Sequence, residues 1–180
     1  MRSPHPRRWL PRRRSRDADF ARSRAAVAEL ELPPAVYKTC PWQPRELVEL
    51  GLRQWLRCCA AALRDNEHIG MPSHAVDEAW HGLILCTARY QVFCYEAYGQ
   101  FMHHHPAGGA PAGSTAATEP MDEQLRRTVI AWELVADPGE RCVLWDLDTQ
   151  VGVAEPWGIA ADRVEYIKTA AAGLHRHPPR

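Results

Sequence analysis

Between Arg45 and Arg64 the apolar side chains Leu47, Val48, Trp55, Leu56, Cys59, Ala62 and Leu63 recur three, four, seven and eight positions apart. That period places them on one side of a helix, with Glu46, Glu49, Arg53, Arg57 and Arg64 mostly opposite. Pro44 suits the first turn, and Glu49 and Arg53 have the i,i+4 spacing of an ion pair. A helix with one apolar side needs other elements to cover it, so the question becomes what the rest of the chain supplies.

The rest supplies more helices. Ala18 to Leu32 reads as weakly helical until Pro33-Pro34 stops it. After Gly70-Met71-Pro72, Ser73 is an N-cap candidate for a helix running to about Cys86. Thr87 can cap the next, in which Tyr90, Phe93, Cys94 and Ala97 face inward and Gly99 ends the helix. A further helix starts near Pro120, with Met121, Leu125, Val129, Trp132 and Val135 on one side, and ends at Asp137-Pro138-Gly139. Val143 to Val151 fits either a helix or a short strand. Ala160 to Leu174 reads as the last helix, with Val164, Ile167 and Ala171 spaced to face inward. Residues 106–119, rich in Ala, Gly, Pro, Ser and Thr, read as a flexible loop. The expected fold is all-α, a single compact bundle of about five or six helices.

A chain of 180 residues suffices for one domain. No window approaches the ~18 unbroken apolar residues of a membrane helix, so no span is expected. The 22 basic and 22 acidic residues cancel to zero net charge, but they are unevenly placed. Residues 1–16 hold Arg2, Arg7, Arg8, Arg12, Arg13, Arg14 and Arg16 and no acid. Removing those seven leaves 15 basic against 22 acidic, so the remainder carries −7. The division expected is a disordered Arg/Pro-rich arm over residues 1–17 and one helical domain over 18–177. The arm could contact nucleic acid or another acidic partner in a salt-dependent way. The blander reading, which the composition favours, is a solvated tail or a start placed too far upstream.

The double arginines lack the apolar stretch of an export leader, which makes a cytoplasmic location the default. Six cysteines without a C-x-x-C pair agree, reading as buried reduced thiols rather than a zinc ribbon or redox motif. There is no G-x-S-x-G turn, no phosphate-binding glycine loop and no H-E-x-x-H. The sequence therefore names no reaction.

The densest polar chemistry lies between Met71 and Pro106. Asp77 and His81 are four apart and share a helix face, and His74, seven before His81, lies near it. Two helices joined as a hairpin would return Phe101-Met102-His103-His104-His105-Pro106 toward the start of the first. A carboxylate and a histidine at i,i+4, joined by loop imidazoles, form a ligand set for a divalent transition metal, Zn or Fe. Asp77, His81 and His104 are the ligands expected, with His103 in reserve. The same residues also allow a structural lock, in which Asp77 orients His81 and the imidazoles hydrogen-bond across the hairpin. On that alternative the chain is a non-enzymatic protein-interaction module.

The pattern Asp77, Trp80, His81, Tyr90, Phe93, Cys94, Gly99, Phe101, His103, His104 and Pro106 resembles the glycine-rich domain-containing protein-like family, in its bacterial branch. The resemblance covers about 35 residues and lacks the glycine-rich tail, since only 11 glycines occur. It implies a largely helical domain with no established activity or substrate. It lays emphasis on Asp77, His81 and His104, with Trp80, Tyr90, Phe93, Cys94, Gly99, Phe101 and Pro106 as the surrounding structural motif.

Overall fold

The apolar stripe becomes the central helix. The computed structural model describes residues 15–104 and 120–176. Pro44 caps a helix over Arg45–Asp65, and Asn66 ends it in the left-handed region at φ 55°. Asn tolerates that conformation, and its backbone N–H satisfies the last-turn carbonyls of Ala62 and Leu63. Leu52, Leu56 and Cys58 are fully buried along this helix.

In chain order the elements are α1 (Arg16–Glu29), α2 (Pro34–Thr39), α3 (Arg45–Asp65), α4 (His74–Leu85), α5 (Thr87–Tyr98), α6 (Met121–Val135), α7 (Leu147–Val151) and α8 (Ala161–Arg176). The described residues are all-helical, as expected. α1, α4, α5, α6 and α7 pack on α3, α2 packs on α4, and α8 packs on α6. One large core fills the space around α3, and a smaller one gathers Val129, Ile159, Val164 and Ile167 under α8. Among the described residues no helix is long and apolar enough to cross a membrane.

Several local expectations change. Among the described residues eight helices stand where five or six are predicted, because two are too short to show a period. Pro34 begins α2 rather than only ending α1, since a missing N–H costs nothing in a first helical turn. Arg16 and Asp17, read as arm, open α1, whose Ser15 side chain accepts from the Ala18 amide. The Glu49–Arg53 pair does not form. Glu49 accepts from the Tyr37 hydroxyl at 2.5 Å, while Arg53 donates to the carbonyls of Val27 and Leu30. Those carbonyls lie at the end of α1, where unpaired acceptors and the helix dipole both favour a cation. Residues 1–14, the loop 106–119, and with them His105 and Pro106, lie outside the described residues.

The cysteines are free thiols, and five of the six are buried. Burial pushes Cys40 up to about 11 and Cys142 up to about 12. Cys58 and Cys59 lie well above the ordinary thiol value for the same reason. Cys86, between α4 and α5, is half-buried and departs from the expectation of uniform burial. Because thiolate and access together set reactivity, a thiol alkylating reagent should modify Cys86 at least about tenfold faster than the other five. Peptide mass spectrometry over a time course measures this, and uniform labelling of the native protein would contradict the packing.

Candidate metal centre

The site begins with the way α4 is started. Ser73 accepts a hydrogen bond from the Val76 amide at 3.2 Å and donates its hydroxyl proton to Asp148 at 2.6 Å. Asp148 is fully buried, and its carboxylate also accepts from the amides of His74, Ala75 and Trp157 at 2.8, 3.1 and 2.9 Å. A carboxylate at a helix N-terminus meets both unpaired amides and the positive end of the dipole. This fixes the first turn of α4, and Asp77 and His81 follow on its outer face.

His81 is oriented by its own helix. Its Nδ1 lies 2.7 Å from the Asp77 carbonyl oxygen. A carbonyl only accepts, so Nδ1 carries the proton and Nε2 is left with the lone pair. The same Nδ1 is 3.4 Å from Asp77 Oδ2.

The third group arrives by the predicted return. Gly99 ends α5 in the left-handed region at φ 74° and turns the chain. Tyr90, buried in α5, donates its hydroxyl proton to the Met102 carbonyl at 2.9 Å and pins the returning strand of chain. Burial first, and the neighbouring Cys94 next, push the Tyr90 hydroxyl well above its ordinary range, so it stays a donor. The Phe101 ring meets Tyr90 edge-on at 5.5 Å. His104 then lies against Trp80 at 4.8 Å and His81 at 4.5 Å, ring centre to ring centre. Its Nε2 is 3.8 Å from Asp77 Oδ1.

Asp77, His81 and His104 each offer a ligand atom, and the three atoms lie within 4.8 Å of one another. Three ligands bound tetrahedrally at ~2.1 Å sit roughly 3.4 Å apart, so closure onto one ion needs small side-chain movements. Asp77 and His104 side chains are each 20% exposed and His81 is 45% exposed, which leaves one side of the cluster facing solvent.

The other expected residues divide. Trp80, Tyr90, Phe93 and Cys94 are buried. Trp80 packs edge-on against Trp55 at 5.9 Å, and Phe93 against Tyr98 at 5.6 Å. His103 is not brought in: it is exposed, with its ring against Phe101 at 4.8 Å. His74 belongs elsewhere too. Its Nε2 is 3.8 Å from Glu78, and its ring faces Trp157 at 5.1 Å. Sequence reasoning missed Asp148. An Asp between Leu147 and Thr149 carries no local signal, because its partners at Ser73 to Ala75 are more than seventy positions away.

Fold and site together define a helical protein with a two-histidine, one-carboxylate cluster at the open face of a helix hairpin. The chain belongs to the UCP032817-like family, whose model matches residues 29–170. That family is uncharacterised, and nothing indicates a glycine-rich domain-containing family. The earlier resemblance is thereby overturned, and the bacterial placement that came with it is left without support. The resemblance rested on a short stretch whose Tyr90, Phe93, Cys94 and Gly99 are what this hairpin needs to pack and turn. Such residues report local structure, whereas the family match runs through most of the chain. No curated protein and no solved structure matches the chain.

Proposed function

We propose that the chain binds one divalent transition metal ion, Zn or Fe, through Asp77, His81 and His104. The observation that carries this reading is the convergence of three ligand atoms within 4.8 Å from two segments of a hairpin. The donor set supports it: two imidazoles and a carboxylate suit Zn or Fe better than Ca or Mg. The fixed tautomer of His81 supports it as well, because Nδ1–H is held by a carbonyl in the manner of metal-ligating histidines. A bound ion would supply Lewis acidity on the solvent-facing side. The chain's own part is to place the negative charge of Asp77, orient His81 and wall off the inner side with Trp80. A cytoplasmic location is part of the same reading, supported by the free thiols.

Metal content and calorimetric titration of untagged protein with Zn(II) and, anaerobically, Fe(II) test this. One ion per chain is expected. Asp77→Ala, His81→Ala and His104→Ala should each weaken binding by at least about 100-fold, while His103→Ala leaves it unchanged. Equal binding by the wild type and the Asp77→Ala and His104→Ala variants would remove the site.

A further inference from the structure

A concavity lies apart from the residues of the metal cluster. It is a cleft of about 660 Å³ between α6, the 136–146 segment and α8, within the size range of binding clefts. Trp145, Ile159 and Val164 give it an apolar floor, the last two nearly fully buried. Its rim is acidic: Glu133, Asp137, Asp146 and Glu165 are exposed and line it. Three cations, Arg24, Arg141 and Lys168, face these four acids and leave one negative charge over. Glu133 and Glu165 share the one ammonium of Lys168, at 3.2 and 3.5 Å. Arg141 is taken by Asp146 at 3.0 Å.

The geometry points to residues 1–14 of this same chain as the occupant of the cleft, with Trp9-Leu10 on the apolar floor and the flanking arginines on the acidic rim. Three features converge on it. The first is composition: Arg7-Arg8 and Arg12-Arg13-Arg14 bracket Trp9-Leu10, an apolar pair between cations that mirrors an apolar floor between acids. The second is charge. Residues 1–14 carry six arginines and no acid, so residues 15–180 hold 16 basic against 22 acidic groups, or −6. The third is reach. Arg24 of α1 already pairs with Asp137, a rim residue, at 2.5 Å. Arg16 is eight residues from Arg24, roughly 12 Å along the helix. Fourteen residues span up to ~46 Å when extended, several times that separation. Tethering raises the effective concentration of the segment at the cleft, so weak surface pairs suffice to hold it.

Limited tryptic digestion of the full chain under native conditions tests the assignment, because cleavage follows the population of the undocked form. At low salt, cutting after Arg8 is expected to be about tenfold slower in the wild type than in Glu133→Lys/Glu165→Lys or in Trp9→Ala/Leu10→Ala. The second variant leaves the folded body untouched. Protection should disappear at about 0.5 M salt, where charges are screened within a few Å, and should not change on dilution. Equal rates in wild type and Trp9→Ala/Leu10→Ala overturn the assignment. So does protection that fades on dilution, which assigns the contact to a second copy. Protection that appears only with added duplex DNA also overturns it, assigning the arginines to a phosphate partner.

Discussion

Asp148→Ala is expected to destabilise the chain by about 4 kcal/mol, the largest effect of any single polar substitution considered. The carboxylate is fully buried and accepts four hydrogen bonds, from the Ser73 hydroxyl and the amides of His74, Ala75 and Trp157. Truncation removes the acceptor, strands the buried Ser73 hydroxyl and Ala75 amide, and frees the partly buried amides of His74 and Trp157; an orphaned buried donor costs more than a made bond is worth. Asp148→Asn separates shape from charge. The amide keeps one acceptor oxygen but turns an NH2 toward donors, so a cost of about 2 kcal/mol is expected. Urea unfolding monitored by far-UV circular dichroism gives both values. Tryptophan emission adds a local reading, since Trp157 is half-exposed and its amide is tied to Asp148. Because the same carboxylate sets the first turn of α4, Asp148→Ala should also weaken metal binding, although Asp148 is not a ligand. An Asp148→Ala protein as stable as wild type would mean that α4 is started by something else.

What the sequence shows and hides follows from the range of each interaction. α3 and α6 are legible because an apolar stripe repeats over several turns, and Ser73 and Gly99 are legible because capping is local. The Asp77–His81 pair is legible for the same reason: a helix converts spacing into proximity. His104 is legible only as one of three adjacent histidines. The choice among them depends on Tyr90 holding the Met102 carbonyl, a contact that fixes the register of the returning segment. That same register leaves His103 on the solvent side. α7 has only five residues, too few for a period to declare itself. Asp148 and the α2–α4 contact are hidden because their meaning lies entirely in distant partners.

The α2–α4 contact carries the other large effect. Gly82 lies on the inner face of α4, where a Cβ would meet the Val36 Cα at 2.6 Å and the Ala35 carbonyl oxygen at 2.8 Å, besides the Thr39 hydroxyl. Helix propensity alone favours Gly82→Ala by roughly 1 kcal/mol. The clash opposes it, and two of its three partners are backbone, which cannot rotate aside. Thr39 also donates its hydroxyl to the Glu78 carbonyl of α4 at 2.9 Å, so pushing α2 away breaks a bond between the helices. Overpacking of this kind costs up to about 3 kcal/mol, and Gly82→Ala is expected to lose about 2 kcal/mol net in urea unfolding. Adding Thr39→Ala removes one of the three close atoms and leaves the backbone two, so the double variant should stay well below wild-type stability. A Gly82→Ala chain more stable than wild type would show that propensity wins and that α2 does not seat against α4 this closely. The result bears on the metal centre as well, because Gly82 follows His81 directly. A shifted α4 moves Asp77 and His81 together relative to His104, so metal affinity should fall even in the fraction of Gly82→Ala protein that remains folded.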